Sequence, residues 1–529
     1  MKFTHIPFQK TGFFSKTMSD YLEKNETTQQ FYNNFPDIEG FAAQIKEKQR
    51  FSSENRTVLV NVLQEQYKNI EASELTIGNI NSLQNDNTFT ITTGHQLNLF
   101  TGPLYFLYKI ISTINLSEEL SEEFPEQHFV PVYWMASEDH DFDEINYFNF
   151  KGSKVVWNRD DGGAVGQFSL EGLQDVFEAF SEHLGSSRNA QYIKNLFQTA
   201  YIDHSNLSEA TRYIANDLFK EYGLVILDAD NQQLKNIFAP IMKDEILHQT
   251  SFKAVSKTIA ALEKDYKVQV NPREINLFYL SENSRERIIE EDGQYKVNDI
   301  NLVFTETEIL EELANHSERF SPNVIMRPLY QEVILPNLCY IGGGGELAYW
   351  FELKTYFETE QIPFPILLLR NSVQIVSEKQ HKKLNNLNIS FEEMFMKEHK
   401  LLAKKVQENS DIQISFEDAT ELLTQQFLAL RRIANETDVS FVGAVDAQQR
   451  KQLKGLENLE KRLMRAEKRK HADLVTRITE LQQQLLPNQS LEERQRNFSE
   501  YYLEYGQDLI LALKESLKPL KLEFTILEL

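Results

Sequence analysis

The stretch from Thr88 to Asn146 constrains the fold more than any other part of the chain, because its pattern predicts two buried strands joined by a helix. A strand at Thr88–Thr92 leads through Gly94-His95-Gln96 and Thr101-Gly102-Pro103 into an amphipathic helix, and a second strand follows at Phe129–Met135. This is the pattern of a βαβ unit, in which ligands bind beyond the carboxyl ends of the strands. We therefore expect the active site at these strand ends.

Three later apolar segments have the length and composition of buried strands. They are Leu224–Leu227, ending in Asp228-Ala229-Asp230; Leu338–Ile341, followed by Gly342–Gly345 and a predicted helix at Glu346–Phe357; and Pro365–Leu369, ending in Arg370. Because these strands alternate with helical stretches, we predict an α/β fold whose parallel sheet is covered on both faces.

The 529 residues exceed what one core holds, and we predict three regions. They are an N-terminal helical segment at 1–80, packed on the core; an α/β core at 81–380 with insertions near 151–215 and 255–320; and a C-terminal all-α domain at 381–529. We expect hairpin turns in the two insertions, at Asp160–Gly163 and Glu291–Gly293.

The C-terminal region contains a heptad seam within residues 446–486. Leu456, Leu459, Leu463 and Ala466 alternate by three and four residues, and Leu474 restarts the seam one residue late. We interpret it as a coiled coil, either an internal hairpin or a dimer contact. A solvated, charged helix is the alternative.

Composition narrows the class of protein. The formal charge of −24 works against broad binding to nucleic acid or to an anionic membrane. Cys339 is the only cysteine, so neither an intrachain disulfide nor a cysteine-based zinc site can form, and its apolar strand indicates a buried filler residue. With no signal peptide pattern and no apolar run long enough to span a membrane, we expect a cytoplasmic protein.

The loop between the first strand and its helix is a candidate anion site. A helix start presents free backbone N–H groups to phosphate or carboxylate, and His95 can add a hydrogen bond or a proton. Lys109 is predicted to lie away from the one buried stripe of this helix. The alternative is that Gly94 and Gly102 only form a turn and that His95 is structural.

The second strand ends in a cluster of acidic residues, Glu138-Asp139-His140-Asp141 with Asp143 and Glu144. These groups repel one another unless they are solvated or meet a cation, an amine or an arginine. They therefore suit metal binding, recognition of an amine or general base catalysis, with a solvated loop as the alternative.

Gly342–Gly345, with Glu346 and Trp350 beyond, is a third loop that allows close approach of a ligand, although it lacks the dinucleotide fingerprint. The sequence also has no Gly-Lys-Ser/Thr phosphate loop, no Gly-x-Ser-x-Gly elbow and no His-Glu-x-x-His helix. Ordinary kinase, serine hydrolase and zincin functions are therefore disfavoured.

Several strings along essentially the whole chain carry a family resemblance. They are Thr93–Gln96, Phe100–Tyr105, Lys109–Ser112, Pro131–Asn146, Arg327–Glu332 and Gly345–Trp350, with Leu486–Asn488, Leu491–Arg494 and Asn497 near the C-terminus. Together they resemble the BshC family, the cysteine-adding enzymes of bacillithiol biosynthesis, apart from Glu492, where the family pattern has glutamine.

The resemblance implies a Rossmann-like core with connecting insertions and a C-terminal coiled-coil domain that mediates dimerisation. It also implies a cysteine ligase that joins the cysteine carboxyl to the amine of glucosaminyl malate. ATP or ADP is implied as the nucleotide, near Asn488, Arg494 and Asn497. Mg²⁺ is a candidate ion for the acidic residues at the end of the second strand. The core is similar in kind to nucleotidylyltransferases and class I tRNA synthetases, but it lacks their His-x-Gly-His and Lys-Met-Ser-Lys-Ser strings.

Under this hypothesis the candidate residues take three roles. Gly94, Gln96, Thr101, Gly102 and Lys109 hold phosphate or carboxylate with His95; Glu138, Asp139, His140 and Asp141 bind the amine, hydroxyls or a metal and supply the base; Gln331, Glu346, Trp350 and Arg370 complete the substrate site, with Arg370 on the malate carboxylate. The alternatives are a metal-assisted hydrolase or nucleotidylyltransferase, and a non-catalytic dimer that binds a nucleotide or an intermediate.

Overall fold

The computed structural model describes residues 2–159 and 162–529, which form two compact units. The sheet unit comprises Met1–Gln9, Phe13–Gln374 and Glu492–Leu527, and the helical unit comprises Lys10–Gly12, Ile375–Leu491 and Glu528–Leu529. The turn predicted at 160–163 includes Asp160 and Asp161, which lie outside the described residues.

The strands are β1 (Lys2–Pro7), β2 (Thr88–His95), β3 (His128–Met135), β4 (Tyr147–Phe150), β5 (Ser153–Val156), β6 (Val225–Asp228), β7 (Leu277–Ser281), β8 (Ser284–Glu291), β9 (Gln294–Val297), β10 (Leu302–Thr305), β11 (Phe320–Pro322), β12 (Asn337–Gly342), β13 (Ile366–Leu369), β14 (Val373–Val376) and β15 (Glu523–Glu528).

The helices up to residue 360 are α1 (Phe8–Thr11), α2 (Lys16–Leu22), α3 (Ile38–Lys48), α4 (Ser53–Gln66), α5 (Glu74–Ser82), α6 (Tyr105–Glu123), α7 (Phe142–Ile145), α8 (Leu173–Glu182), α9 (Arg188–Ile202), α10 (Leu207–Phe219), α11 (Gln232–His248), α12 (Thr250–Leu262), α13 (Glu306–Asn315), α14 (Arg327–Ile334), α15 (Gly344–Phe351) and α16 (Lys354–Thr359). The later ones are α17 (Glu378–Asn386), α18 (Phe391–Met394), α19 (Glu398–Asn409), α20 (Glu417–Ala434), α21 (Val439–Lys470), α22 (Ala472–Leu485), α23 (Phe498–Tyr505) and α24 (Asp508–Ser516).

The central sheet of the sheet unit has the strand order β13-β12-β2-β3-β6, and its neighbouring strands are all parallel. The five apolar segments of the sequence are these five strands, so the predicted parallel α/β sheet is confirmed. Buried side chains such as Phe89, Ile341 and Leu368 form its core. Because the chain proceeds to one side of β2 through β3 and β6, and to the other side through β12 and β13, a ligand crevice is expected where the order reverses.

Helix α6 differs from the predicted helix with one buried stripe. Every residue from Phe106 to Ser117 is buried, and Lys109 is buried with them. The outer face is covered by the end of the chain, where Asn115 donates to the backbone oxygens of Lys514 (2.8 Å) and Leu517 (2.7 Å). The prediction was wrong because this cover comes from a segment far away in sequence.

An antiparallel sheet, β10-β9-β8-β7-β11, precedes α14 and falls largely within the predicted insertion near 255–320. The turn predicted at Glu291–Gly293 joins β8 to β9, with φ of 54° at Asp292 and 75° at Gly293. Two positive φ values are the signature of a type I′ hairpin turn, so this prediction is confirmed.

Two local predictions were wrong. The helix expected at Glu346–Phe357 is divided into α15 and α16, because the N–H groups of Glu352 and Leu353 bond three residues back and tighten the turn. Strands also occur near both ends of the chain, where β1 and β15 join β14 in a small sheet. Their partners are distant in sequence, so the local pattern does not reveal them.

In the helical unit, α20 and α21 pack as an internal hairpin around Phe427, Ala434 and Val445. The predicted restart of the heptad seam at Leu474 has a structural cause, since α21 ends at Lys470 and α22 begins at Ala472. No helix within residues 2–159 and 162–529 combines the length and the apolar composition needed to cross a membrane.

Glu352 makes the fold sensitive to pH. Its buried carboxylate accepts hydrogen bonds from the backbone N–H groups of Gln269 (2.6 Å) and Val270 (3.3 Å), and burial raises its pKa to about 7. Because the folded pKa lies above the ordinary value of 4.5, the stabilising contribution is complete below that value and is lost as pH rises through about 7.

Glu352→Gln mimics the protonated carboxyl. We therefore expect the urea midpoint of unfolding of this variant to fall less than that of the wild type when the pH rises from about 5 to about 8. Glu311→Gln, on the exposed face of α13, is the matched control and should follow the wild type. Parallel pH profiles for the wild type and Glu352→Gln would contradict the assignment.

Candidate active site

A cavity of about 790 Å³ lies at the carboxyl ends of the central strands, where the topology predicts a ligand site. Its walls come from the residues that follow β2, β3, β6, β12 and β13, from the antiparallel insertion and from the start of α14. Ten of the sequence candidates line it: Gly94, His95, Gln96, Lys109, Glu138, Asp139, His140, Glu346, Arg370 and Arg494.

His95 lies at the end of β2 with its ring buried against Tyr105 and Phe106. Burial, together with the charge of Lys109, lowers its pKa to about 3, so the imidazole is neutral at physiological pH. A hydrogen bond with the Thr101 backbone opposes this shift and favours the protonated ring. The imidazole N–H is therefore the donor, and the Thr101 carbonyl accepts it. Nε2 has no partner among the described residues. It therefore offers a lone pair to a ligand N–H or O–H group.

Lys109, which is buried, forms an ion pair with the partly exposed Glu346, with Nζ and Oε2 2.7 Å apart. Lys109 also donates to the Gly94 carbonyl (2.6 Å), and Glu346 accepts from the Gly343 N–H (2.7 Å) and the Tyr340 hydroxyl (3.0 Å). Burial alone would raise the pKa of Glu346, but Lys109 and these donors hold it below the usual value. The carboxylate thus fills the anion position at the start of α15, and the pair holds the two glycine loops in place.

The acidic end of β3 is neutralised from within the protein. The Lys235 ammonium lies 2.6 Å from Glu138 Oε1 and 2.7 Å from Asp230 Oδ1, and it donates to the Glu318 carbonyl as well. Burial would lower the pKa of Lys235, but the two carboxylates raise it, so it remains charged. Burial raises the pKa of Glu138, which strengthens this carboxylate as a base facing the cavity.

Asp139 and His140 have well-defined partners as well. Gln96 Nε2 donates to Asp139 Oδ2 (2.8 Å) and to Glu144 Oε2 (2.9 Å), so a neutral amide bridges two carboxylates. His140 Nδ1 lies 2.8 Å from Arg285 Nη1. Because a guanidinium only donates, His140 is the acceptor here and carries its proton on Nε2. Burial and the charge of Arg285 lower the pKa of His140.

Arg327, at the start of α14, faces a cage of aromatic rings. Its guanidinium lies 5.8 Å from the Trp134 ring, 5.7 Å from Tyr340 and 6.0 Å from Trp350, within cation–π range. Gln331 Oε1 accepts from Nη1 at 3.2 Å and orients the group. Gln331 and Trp350, two predicted substrate residues, thus lie next to Arg327 but do not line the cavity.

The C-terminal segment of the sheet unit positions the Arg370 side chain. Nη2 donates to Glu493 Oε1 (2.7 Å), and Nη1 donates to the Asn371 carbonyl (3.0 Å) and the Ser372 hydroxyl (3.1 Å). Its buried Nε has no partner among the described residues. This Nε lies beside Gly343, where an added Cβ would be in van der Waals contact with it. Three of the five N–H groups are therefore used, and the Nε–H and one N–H of Nη2 are left for a ligand.

An excess of unpaired positive charge distinguishes the cavity from the acidic surface of the protein. Among the described residues, five arginines that line it have no carboxylate within ion-pair distance: Arg273, Arg285, Arg287, Arg327 and Arg494. The nearby carboxylates are engaged instead with Lys235, Lys109 and Gln96. The cavity is therefore arranged to receive an anion.

The remaining sequence candidates lie outside the cavity. Thr101 and Gly102 are in a buried loop that does not line the cavity. Asn497 Nδ2 fixes this loop by donating to the carbonyls of Phe100 (2.8 Å) and Gly102 (2.7 Å). The Leu104 N–H at the start of α6 is bonded to the Arg496 carbonyl (2.7 Å), so that end of the helix is partly closed to an anion.

Two further candidates are also not among the lining residues. Asp141 is exposed and precedes α7. Asn488 belongs to the helical unit, where it has a φ of 55° just after α22.

Sequence reasoning missed Arg273, Arg285, Arg287 and Lys235. Arg285 and Arg287 occupy alternate positions in a predicted irregular insertion, a spacing that places both on one face of a strand. Two basic residues on one face of a strand in a strongly acidic chain were the available signal. Lys235 gave no such signal in the sequence, because it is an ordinary basic residue in a helix.

The acidic residues do not fit a metal held by protein side chains alone. Within residues 2–159 and 162–529 there is no group of three or more His, Cys, Asp or Glu positioned to hold an ion. Glu138 and Asp230 share Lys235, while Asp139 and Glu144 share Gln96. No catalytic step is therefore assigned to a metal.

Comparison with known proteins identifies two family models. Residues 1–371 match the bacillithiol biosynthesis BshC N-terminal Rossmann-like domain, and residues 373–529 match the BshC C-terminal coiled-coil domain. The second range includes Glu492–Leu527, which belong to the sheet unit by their contacts.

Full-length relatives bear the name "Putative cysteine ligase BshC". Those of Flavobacterium psychrophilum and Flavobacterium johnsoniae are 56% and 55% identical, each over 99% of this chain and 99% of the relative. The relative from Cytophaga hutchinsonii is 38% identical over 97% of this chain and 96% of its own length.

Proposed function

Because the chain belongs to the BshC family of bacillithiol biosynthesis, we propose that it is a cysteine ligase that joins the carboxyl of L-cysteine to the amine of glucosaminyl malate. The observation that carries this proposal is the cavity at the strand ends, where unpaired arginines lie beside a buried carboxylate of raised pKa. An acceptor with an amine and two carboxylates matches both features.

Glu138 is the proposed base that takes the proton from the attacking amine. An effective base has a pKa near the working pH, and burial moves Glu138 toward that value while it moves His95 away, to about 3. His95 is then a neutral acceptor that orients a substrate N–H or O–H through Nε2. Lys235 holds Glu138 in position from behind.

A carboxylate is inert toward an amine at neutral pH, so we propose that ATP activates cysteine as an acyl phosphate or an acyl adenylate. The residues that fit its phosphates are Arg494 and the free Nε of Arg370, near the Gly343 loop. Arg494 was a nucleotide candidate from the sequence; Asn497 contributes instead by holding the loop before α6.

The test is incubation with cysteine, glucosaminyl malate and ATP, each omitted in turn, with the amide detected by mass spectrometry. Product only in the complete mixture supports the ligase. Turnover without cysteine would favour a hydrolase or nucleotidylyltransferase, and binding of glucosaminyl malate without product would favour a non-catalytic role.

Glu138→Gln should lower kcat by about 10²-fold or more and remove the acidic limb of the pH–rate profile, because the base is lost. His95→Ala should lower kcat/KM by about tenfold, the cost of one hydrogen bond, and leave that limb in place. Asp143→Asn, in the same acidic segment but outside the cavity, is the control and should match the wild type. Equal losses in the Glu138 and His95 variants would remove the assignment of the base.

We also propose that the protein is a homodimer through its coiled coil and acts in the cytoplasm. A groove on the α20–α21 hairpin is lined by Leu422, Leu423, Leu456 and Leu459, with Leu422 67% exposed and Leu459 51% exposed. Apolar side chains at such exposure favour a partner helix. The single buried cysteine suits a reducing compartment.

Leu422→Lys combined with Leu459→Lys should convert the dimer to a monomer in light scattering, because two charges would be buried in the contact. Helical circular dichroism should be retained, and Leu511→Lys, an exposed leucine of α24, should remain a dimer. A monomeric wild type, or a dimeric double variant, would contradict this proposal.

A further inference from the structure

We propose that Arg285 and Arg287 of the antiparallel insertion, with Arg273 at its entrance, form a dicarboxylate subsite that binds the malate part of the acceptor. The identification of the dicarboxylate as part of a ligase substrate rests on the proposed function. The binding of a dicarboxylate at these arginines does not. Malate recognition is thereby assigned away from Arg370, whose charge is already paired with the Glu493 carboxylate.

Arg285 is oriented in advance by neutral partners. Nε donates to the Ser321 hydroxyl (3.0 Å), Nη2 to the Pro322 carbonyl (3.2 Å) and Nη1 to His140 Nδ1 (2.8 Å), and the guanidinium lies over the Phe278 ring at 4.2 Å. These contacts fix the plane of the group but supply no negative charge. The fixed orientation lowers the entropic cost of a two-point contact with a carboxylate.

Arg287 lies two residues further along β8, so its side chain points to the same face of the sheet. Its Nε is buried and has no partner within the part of the chain that the structure describes. Arg273 precedes β7 and is exposed at the edge of the same cavity. The insertion thus presents several donors to one ligand.

The arginines are not supplied with a counterion by the protein. A buried cation without a counterion is energetically costly, and an anionic ligand offsets that cost. The carboxylates whose charges act on Arg285 are Glu138, Asp139 and Asp230. Two of them are shared by Lys235, and Asp139 is bonded to Gln96.

The position of the subsite also fits the geometry of the acceptor. Glu138, the proposed base, acts electrostatically on Arg285 and therefore lies in the same part of the cavity. An amine-bearing dicarboxylate can then contact the arginines with its acid groups while its amine faces Glu138. Arg370, Arg494 and His95 remain for cysteine and the activating nucleotide.

The experiment measures binding of L-malate and of glucosamine, which lacks carboxylates, by titration calorimetry to the full-length protein. We expect the wild type to prefer malate, with an affinity that falls as salt rises. Arg287→Gln should weaken malate binding by about tenfold or more, the loss of one charge-assisted contact, and leave glucosamine binding unchanged. Arg285→Gln should behave in the same way.

Arg319→Gln is the matched control, since Arg319 belongs to the same insertion but pairs with Glu312 outside the cavity. Because Arg285 is buried, thermal unfolding of each variant is compared with the wild type, and Arg287→Gln decides the result if Arg285→Gln does not fold. Equal malate affinity in the wild type and Arg287→Gln, or a wild type that binds malate no better than glucosamine, would overturn the proposal.

Two combinations of results distinguish a failure of the subsite from a failure of the proposed ligase function. If malate binding is lost in Arg287→Gln but the complete reaction mixture yields no amide, the subsite stands and the ligase proposal fails. If the amide forms and the KM for glucosaminyl malate is unchanged in Arg287→Gln, the ligase stands and the subsite is wrong.

Discussion

Lys235 lies between Glu138 and Asp230, and the charge balance of the whole cavity depends on this contact. Without the ammonium, two buried carboxylates would repel each other and would attract the nearest arginine. With it, the acidic ends of β3 and β6 are neutralised inside the protein, and Gln96 bridges Asp139 to Glu144 without using a cation. The arginines of the insertion and of α14 are therefore left for an anionic ligand, while Glu138 is held in position at the cavity.

The C-terminal segment of the sheet unit also helps to build the site. Glu493 fixes Arg370 at the end of β13, and Asn497 fixes the carbonyls of the loop before α6. Both residues are fully buried. A segment more than 100 residues away from the last strand of the central sheet thus determines which donors of that sheet remain free.

The sequence was sufficient to predict the central sheet, because each of its strands is a short apolar run whose identity is decided locally. It also predicted His95, Glu138 and Glu346 at the cavity, since residues that follow parallel strands meet at one edge. It failed for Lys109, which is buried and paired with Glu346 from a distant loop, and for Arg285, which enters from an insertion. Burial, pairing and charge compensation depend on contacts between distant segments, so the local pattern could not supply them.

Under the proposed function, the cavity activates the carboxyl of cysteine and transfers the cysteinyl group to an amine. Cysteine labelled with ¹⁸O in both carboxyl oxygens, incubated with ATP and glucosaminyl malate, tests it directly. We expect one ¹⁸O in inorganic phosphate or in AMP for each amide formed, because the oxygen lost from cysteine leaves on phosphorus. Amide formation with no ¹⁸O in either product would contradict it.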